Sequence, residues 1–313
     1  MRKIFGIGET VLDIIIRNGK AEAANPGGST FNSMISLGRC GAEAVFMSEY
    51  GDDRAGRMIT EFMNANGVDS TYVDLLPVKT TIALAFLNEK NDAEYMFYSE
   101  APSKRPAQRL PEIEPDDLVL FGSFFALNPD LRPRVRAFLD YARSRGAIIY
   151  YDINFRPSHL KDLERCGNAL WENIEIADIV RGSNEDFHTL FGLDDVDAVF
   201  HGMLAEHCER LIYTCGAEPL KVRDYMGAAL EFPVKKIKTV STVGAGDNFN
   251  AGFLFGILRE GITREDIVTG LSEEQWGKLI SCANSFSLDC CQSTENYVSK
   301  AFAKSMAADY SLL

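Results

Sequence analysis

Between residues 237 and 258 the chain passes from a β-branched run (237–243) through Gly244-Ala245-Gly246 and Asp247 into an apolar stretch with helical spacing: Phe249, Ala251, Phe253, Leu254, Ile257 and Leu258. That succession predicts a short strand, a tight turn and a helix. The turn then lies at a helix start, where backbone N–H groups lack intrahelical partners and the helix dipole is positive. Glycine lets a backbone come close to a ligand, so residues 244–247 suit an anion such as phosphate. A carboxylate in a phosphate cradle repels its own ligand unless it has chemistry to perform. Asp247 therefore has two readings. It is a general base that takes a proton from an attacking hydroxyl while the amides of Gly244, Ala245 and Gly246 hold charge on a transferred phosphoryl group. Or it is an ordinary acid in the first turn of a helix.

Bulk properties narrow the partners. A chain of 313 residues is long enough to bury a substantial core. Lysine and arginine number 32 against 45 acids, a net charge of −13 that argues against nucleic acid or an anionic membrane as partner. Seven cysteines without repeated spacing, and no zinc-like Cys/His pattern, suggest reduced thiols and a cytoplasmic protein. The first residues enter a strand without a signal-peptide run, and no apolar stretch is long enough for a bilayer.

Residues 3–8 predict a buried strand ending in Gly6-Ile7-Gly8-Glu9; the third glycine of a dinucleotide fingerprint is missing, which excludes a nicotinamide site there. Asp13 interrupts an apolar run at 10–17, either facing solvent or serving polar groups of a ligand. Residues 25–32 open a helix. Gly27-Gly28 permits close approach of a ligand, and Asn32 offers both donor and acceptor to a polyol, or simply caps the helix. Segments 80–87 and 94–98 alternate around the hairpin signal 89–92, and with 11–17 they predict a small separate sheet with Ile82, Leu84, Phe86 and Phe97 on its inner face. Glu100, Lys104 and Arg105 follow it as candidates for substrate contact.

From Asp117 onward strands and helices alternate, as in parallel βαβ units. Asp152, Asn154 and Arg156 stand at alternate positions at the carboxyl end of a strand, where open α/β sheets bind ligands. Arg156 is a cation for a phosphate or a carboxylate, or a loop ion pair.

Two of these stretches, 27–56 and 241–247, resemble the two signatures of the ribokinase-like (PfkB) carbohydrate kinases, and the Asp-x-Asn-x-Arg loop resembles that of the family's fructokinases and 2-keto-3-deoxygluconate kinases. The resemblance runs from Gly6 to about Ser287. It implies one kinase domain over 1–313: a three-layer α/β/α sandwich with a mostly parallel central sheet and a β lid from about 10–25 and 80–100. It implies ATP-dependent phosphorylation of a primary hydroxyl of a small sugar, fructose first, then 2-keto-3-deoxygluconate, then ribose or a nucleoside. Asp247 would be the base and Gly244, Ala245 and Gly246 the anion hole. Asp13, Gly28, Asn32, Asn154 and Arg156 would bind sugar. Asp186, Thr214, Gly216 and Asn284 would serve the nucleotide, with Asp186 or Glu185 ordering water around Mg²⁺. The lid would pair with that of a second subunit. Ser241 replaces the family's first signature Asp, and residues 290–296 replace a glycine-rich segment. Both departures count against a monovalent-cation requirement. Ser241, together with Ser183 in place of an Asn of the family, leaves a non-catalytic sugar- or nucleotide-binding regulator as the rival reading.

Overall fold

The computed structural model describes residues 1–87 and 93–310. In chain order the strands are β1 (Lys3–Ile7), β2 (Val11–Arg17), β3 (Lys20–Gly27), β4 (Glu43–Gly51), β5 (Val68–Asp69), β6 (Val73–Leu76), β7 (Ile82–Leu87), β8 (Ala93–Tyr98), β9 (Leu118–Gly122), β10 (Ile148–Asp152), β11 (Ile179–Ser183), β12 (Arg210–Cys215), β13 (Glu218–Asp224) and β14 (Ala229–Phe232). The helices are α1 (Ser29–Arg39), α2 (Arg54–Ala65), α3 (Arg132–Ser144), α4 (Leu163–Cys166), α5 (Ala169–Ile176), α6 (Asn184–Phe191), α7 (Val196–Val199), α8 (Ala245–Arg259), α9 (Arg264–Thr269), α10 (Glu273–Cys290) and α11 (Lys300–Tyr310). None of them is long and apolar enough to cross a membrane.

The central strands are apolar on both faces, so both faces must be covered by helices. The sheet runs β14-β13-β12-β11-β10-β9-β1-β4-β5, with β6 also beside β4. Pairings from β12 through β5 are parallel, and the two at the β14 edge are antiparallel. Alternation along each strand divides the core. Ile4, Leu118, Leu120, Ile148 and Tyr150 pack with α1, α8, α10 and α11 on one face. Phe5, Val119, Phe121, Ile149 and Tyr151 pack with α3, α5, α6 and α7 on the other. Helices α8 and α10 approach closely because Gly252 has no side chain: a Cβ there would stand 2.8 Å from the Ala283 Cα.

The strand order reverses at β1, which lies between β9 and β4. In open α/β sheets such a switch point leaves a crevice at the carboxyl ends of the strands. The segments leaving β1, β9 and β10 (Gly8-Glu9, Ser123 and Ile153-Asn154) all lie at that end.

The predicted small sheet exists, in the order β3-β2-β7-β8. Its hairpin signal at 89–92 lies outside the described residues. The expected inner face needs correction. Asp13 pairs with Ala83 and Ala83 with Phe97, so these share one face. Ile82, Leu84 and Phe86 lie on the opposite face with Ile14, Met96 and Tyr98. One alternation runs through both strands, and the cross-strand register sets which residues join it.

A second correction concerns 237–243, which is not a strand. It runs mostly exposed, and the N–H groups of Val240 and Ser241 bond to the Cys291 carbonyl after α10 instead of to a strand. β-Branched composition alone supplies no neighbouring strand to pair with.

Candidate active site

Helix α8 starts after Gly244, whose φ of 80° a side-chain-bearing residue adopts only with strain, and no side chain caps this end. Gly244 is also pressed against the Asn296 carbonyl, 2.8 Å from where its Cβ would be. The Asn248 amide bonds the carbonyls of both Gly244 and Asn296, and the Cys290 thiol donates weakly to those of Val243 and Glu295. The two departures from the family signatures are therefore neighbours, forming a hydrogen-bonded floor under the turn. A helix start of this kind, left open by glycine, is an anion site.

Arg181 adds a full positive charge below it. The guanidinium lies 3.1 Å from the Cβ position of Gly246. It donates to Asp152 at 2.9 Å and to Thr214 at 2.8 Å, and Asn250 donates to the other Asp152 oxygen at 2.7 Å. Burial works against the Arg181 charge, but Asp152, with Tyr150 and Asp186, outweighs it and leaves its pKa raised. A buried guanidinium with this geometry is a fixed cation.

At the first turn of α8 the Asp247 carboxylate accepts from the Ser29 hydroxyl and the Asn32 amide, each at 2.8 Å. The Ser33 hydroxyl bonds its backbone carbonyl at 2.7 Å. Helix α1 thus delivers three side chains, at successive turn-related positions, to one residue of α8. Desolvation raises the Asp247 pKa to about 6, and Asp152 adds to the rise. The bonds from Asn32 and Ser29 and the charge of Arg156 oppose it. Asn32 is 5% exposed and its Oδ1 has no partner. A buried acceptor left open beside a base fits a ligand hydroxyl.

Gly28, Asp13 and Arg156 lie around the same crevice. Gly27 and Gly28 precede α1; a Cβ on Gly27 would strike the Asp13 carboxylate and one on Gly28 the Glu9 carbonyl. Burial raises the Asp13 pKa to about 6. Arg156 is exposed and close enough to Glu9 and Asp247 to act on both. The alternation expected for Asp152, Asn154 and Arg156 breaks where β10 ends: Asp152 turns into the buried network, while Asn154 takes a left-handed φ of 36°. Ser123, after β9, is also left-handed at φ 52°. Two adjacent strand ends at the crevice thus hold strained backbone.

Several expected ligand residues are otherwise engaged. The Asp186 carboxylate accepts from Ser183 N–H, Ser183 Oγ and Phe155 N–H, each at 2.7 Å, closing the capping box of α6 and tying down the 153–156 loop. Glu185 beside it is exposed. The Thr214 hydroxyl is taken up by Arg181 and the Gly182 carbonyl. Gly216 forms a left-handed turn at φ 59° with open space around it, and Asn284 is half-buried on α10. Arg105 makes a bidentate pair with Glu49 and Glu100 accepts from the Lys79 N–H, so both fix the chain below the lid; Lys104 is exposed.

Sequence reasoning passed over Ser29, Asn250, Arg181 and Glu9. Ser29 lies inside the Gly-Gly-Ser-Thr stretch already singled out. Arg181 is an arginine inside an apolar strand, an arrangement that requires a buried partner.

The arrangement sets a buried carboxylate beside an uncapped, glycine-opened helix start at a sheet switch point, a pairing able to take a proton from a hydroxyl and to hold an anion. The profile of the pfkB family carbohydrate kinases matches residues 1–271. A fructokinase of Rhizobium leguminosarum bv. trifolii is 30% identical over 277 residues, 85% of this chain and 83% of its own length. A 5-dehydro-2-deoxygluconokinase of Geobacillus thermodenitrificans is 25% identical over 74% of this chain and 72% of its own. In fold, the chain is similar to the aminoimidazole riboside kinase of Salmonella enterica complexed with aminoimidazole riboside and an ATP analogue, with a TM-score of 0.82 at 22% identity over 98% of this chain and 99% of the other. The chain belongs to the PfkB family of carbohydrate kinases. It is a sugar kinase, a phosphotransferase with an alcohol acceptor.

Proposed function

We propose that this sugar kinase transfers the γ-phosphoryl group of ATP to a primary hydroxyl of a small sugar, with fructose as first substrate and 2-keto-3-deoxygluconate or ribose next. The observation that carries the base assignment is the Asn32 amide, which holds Asp247 through Nδ2 and leaves Oδ1 open for a sugar hydroxyl beside the carboxylate. Asp13, Gly28 and Arg156 surround the sugar, with Asn154 setting the loop that carries Arg156.

In the step itself, the sugar oxygen bonds to the γ-phosphorus as the bond to the bridging ADP oxygen breaks, and the hydroxyl proton passes to Asp247. The amides of residues 244–247 and the Arg181 cation stabilise charge on the phosphoryl group. Gly216 and Asn284 border the nucleotide. Among the described residues no group of three acidic, histidine or cysteine side chains stands ready to hold a metal. Glu185, exposed in the first turn of α6, is the carboxylate that would order water around Mg²⁺. When bound, Mg²⁺ supplies charge neutralisation on the phosphates.

The intact base and uncapped helix start favour catalysis over a regulatory binding role. Asp247→Asn is expected to lower kcat by about 10²- to 10⁴-fold in a coupled assay of sugar-dependent ADP formation. Unchanged turnover would remove Asp247 from the role of base.

A further inference from the structure

Resting on the sugar-kinase reading above, we infer that Asp152, Asn250 and Thr214 are positioning residues for phosphoryl transfer, which together hold the Arg181 guanidinium against the start of α8. Arg181 belongs to β11, inside the sheet, and its side chain reaches across to a different element. Its two terminal nitrogens stand 3.1 Å from where a Gly246 Cβ would be, and the guanidinium carbon lies 6.0 Å from the centre of the Phe249 ring. Both residues lie in the first turns of α8. A cation at the positive end of a helix is electrostatically adverse, so helix stability does not account for this placement. It concentrates two positive devices, the guanidinium and the uncapped N–H groups, on one anion position.

An arginine side chain left to itself samples many rotamers, but this fork is held at both tines. Nη1 donates to Asp152 Oδ1 at 2.9 Å and Nη2 to Thr214 Oγ1 at 2.8 Å. The Thr214 hydroxyl donates onward to the Gly182 carbonyl at 3.4 Å, which leaves its oxygen free to accept. Asp152 is held in turn. Asn250 Nδ2 donates to its second oxygen at 2.7 Å, and the Tyr150 hydroxyl donates to Asn250 Oδ1 at 3.0 Å, which sets the end of the amide that faces Asp152. Both Asp152 oxygens thus accept from N–H groups, the pattern of a carboxylate. Arginine keeps its proton at any working pH, and Asp152 supplies the counter-charge that lets it lie 7% exposed in the core. A buried ion pair is a poor source of stability but a precise one of position. Asn250 stands one turn after Asp247, so the helix that carries the base and the open amides also anchors the cation.

The test is a double-mutant cycle on kcat, measured as sugar-dependent ADP formation. Arg181→Gln removes the cation and should lower kcat about 10²-fold with little change in the sugar KM. Asp152→Asn removes the charge of the anchor; the Asn250 amide can turn over to match it, because the Tyr150 hydroxyl accepts as well as donates. It should lower kcat roughly tenfold, and Thr214→Val about threefold. On the Arg181→Gln background neither change should lower kcat further, because each acts through the guanidinium. If thermal melts show Arg181→Gln or Asp152→Asn to be unfolded, Arg181→Lys and Thr214→Val carry the same comparison with the charge pair kept, since a lysine cannot bridge both partners. Losses that add on the Arg181 background would overturn the inference. So would an Arg181→Gln enzyme with the wild-type kcat, or losses confined to the sugar KM. Absence of ADP formation with every sugar in the wild type is a separate result, and it would remove the kinase reading itself together with the step these residues serve.

Discussion

Asp247 is held under opposing demands. Ser29 and Asn32 bond its charged form, while the crevice withholds solvent from it, and the outcome is a pKa of about 6. A base must be deprotonated to work, so kcat/KM should fall as pH drops below about 6, along an acid limb that disappears in Asp247→Asn. The same shift acts on stability. Between the ordinary carboxyl pKa of 3.8 and about 6, the folded protein holds a proton that the unfolded chain has lost. This residue's contribution therefore falls as pH rises through that window, and the penalty is complete above it. Asp247→Asn should accordingly raise the melting temperature of the unliganded protein at pH 7, and the gain should fade at pH 5. A variant that is less stable at pH 7 than the wild type would show that the Ser29 and Asn32 bonds outweigh desolvation.

At the scale of elements, α6 and the loop after β10 are joined through one carboxylate. Ser183 N-caps α6 by accepting the Asp186 N–H at 3.1 Å, and Asp186 reaches across to Phe155 N–H at 2.7 Å. Removing the cap with Ser183→Ala should cost about 0.5–2 kcal/mol in a urea titration. It should also raise the sugar KM, because Phe155 adjoins Asn154 and Arg156; an unchanged KM would separate the cap from the loop. The α8–α10 contact is a second joint. Gly252→Ala places a methyl group 2.8 Å from the Ala283 Cα, and overpacking of this kind typically costs about 1–3 kcal/mol. A loss below that range, read from the same titration, would mean the helices part without strain.

At the scale of the molecule, the small sheet presents two unlike faces. One carries Asp13 towards the crevice. The other shows Phe86, Met96 and Tyr98 at 39%, 49% and 56% exposure, with Ile14 and Leu84 half-buried beside them. Large apolar surface on a sheet is a site of association. We propose that this face covers the same face of a second copy, an isologous contact. Sedimentation at micromolar concentration is expected to give a dimer, and Met96→Lys to shift it towards monomer. A wild-type monomer at all accessible concentrations would exclude the lid as the contact.

Much of this was legible in residue order. The doubly apolar strands, the glycine turn before α8 and the Gly27-Gly28 opening of α1 are local patterns, because backbone conformation and periodic burial are fixed over a few residues. The sequence by itself determined that a glycine-opened helix start would carry an acid in its first turn. Tertiary structure decided what that acid touches. Asp247 meets Ser29 and Asn32 from more than 200 residues away, and Arg181 lies beneath Gly246, because strand order brings β1, β10, β11 and α8 to one crevice. The same long-range register assigned Phe97 to the Asp13 face and left 237–243 outside the sheet. A local pattern states which residues want burial, but cross-strand pairing and the meeting of distant strand ends settle which neighbours they find.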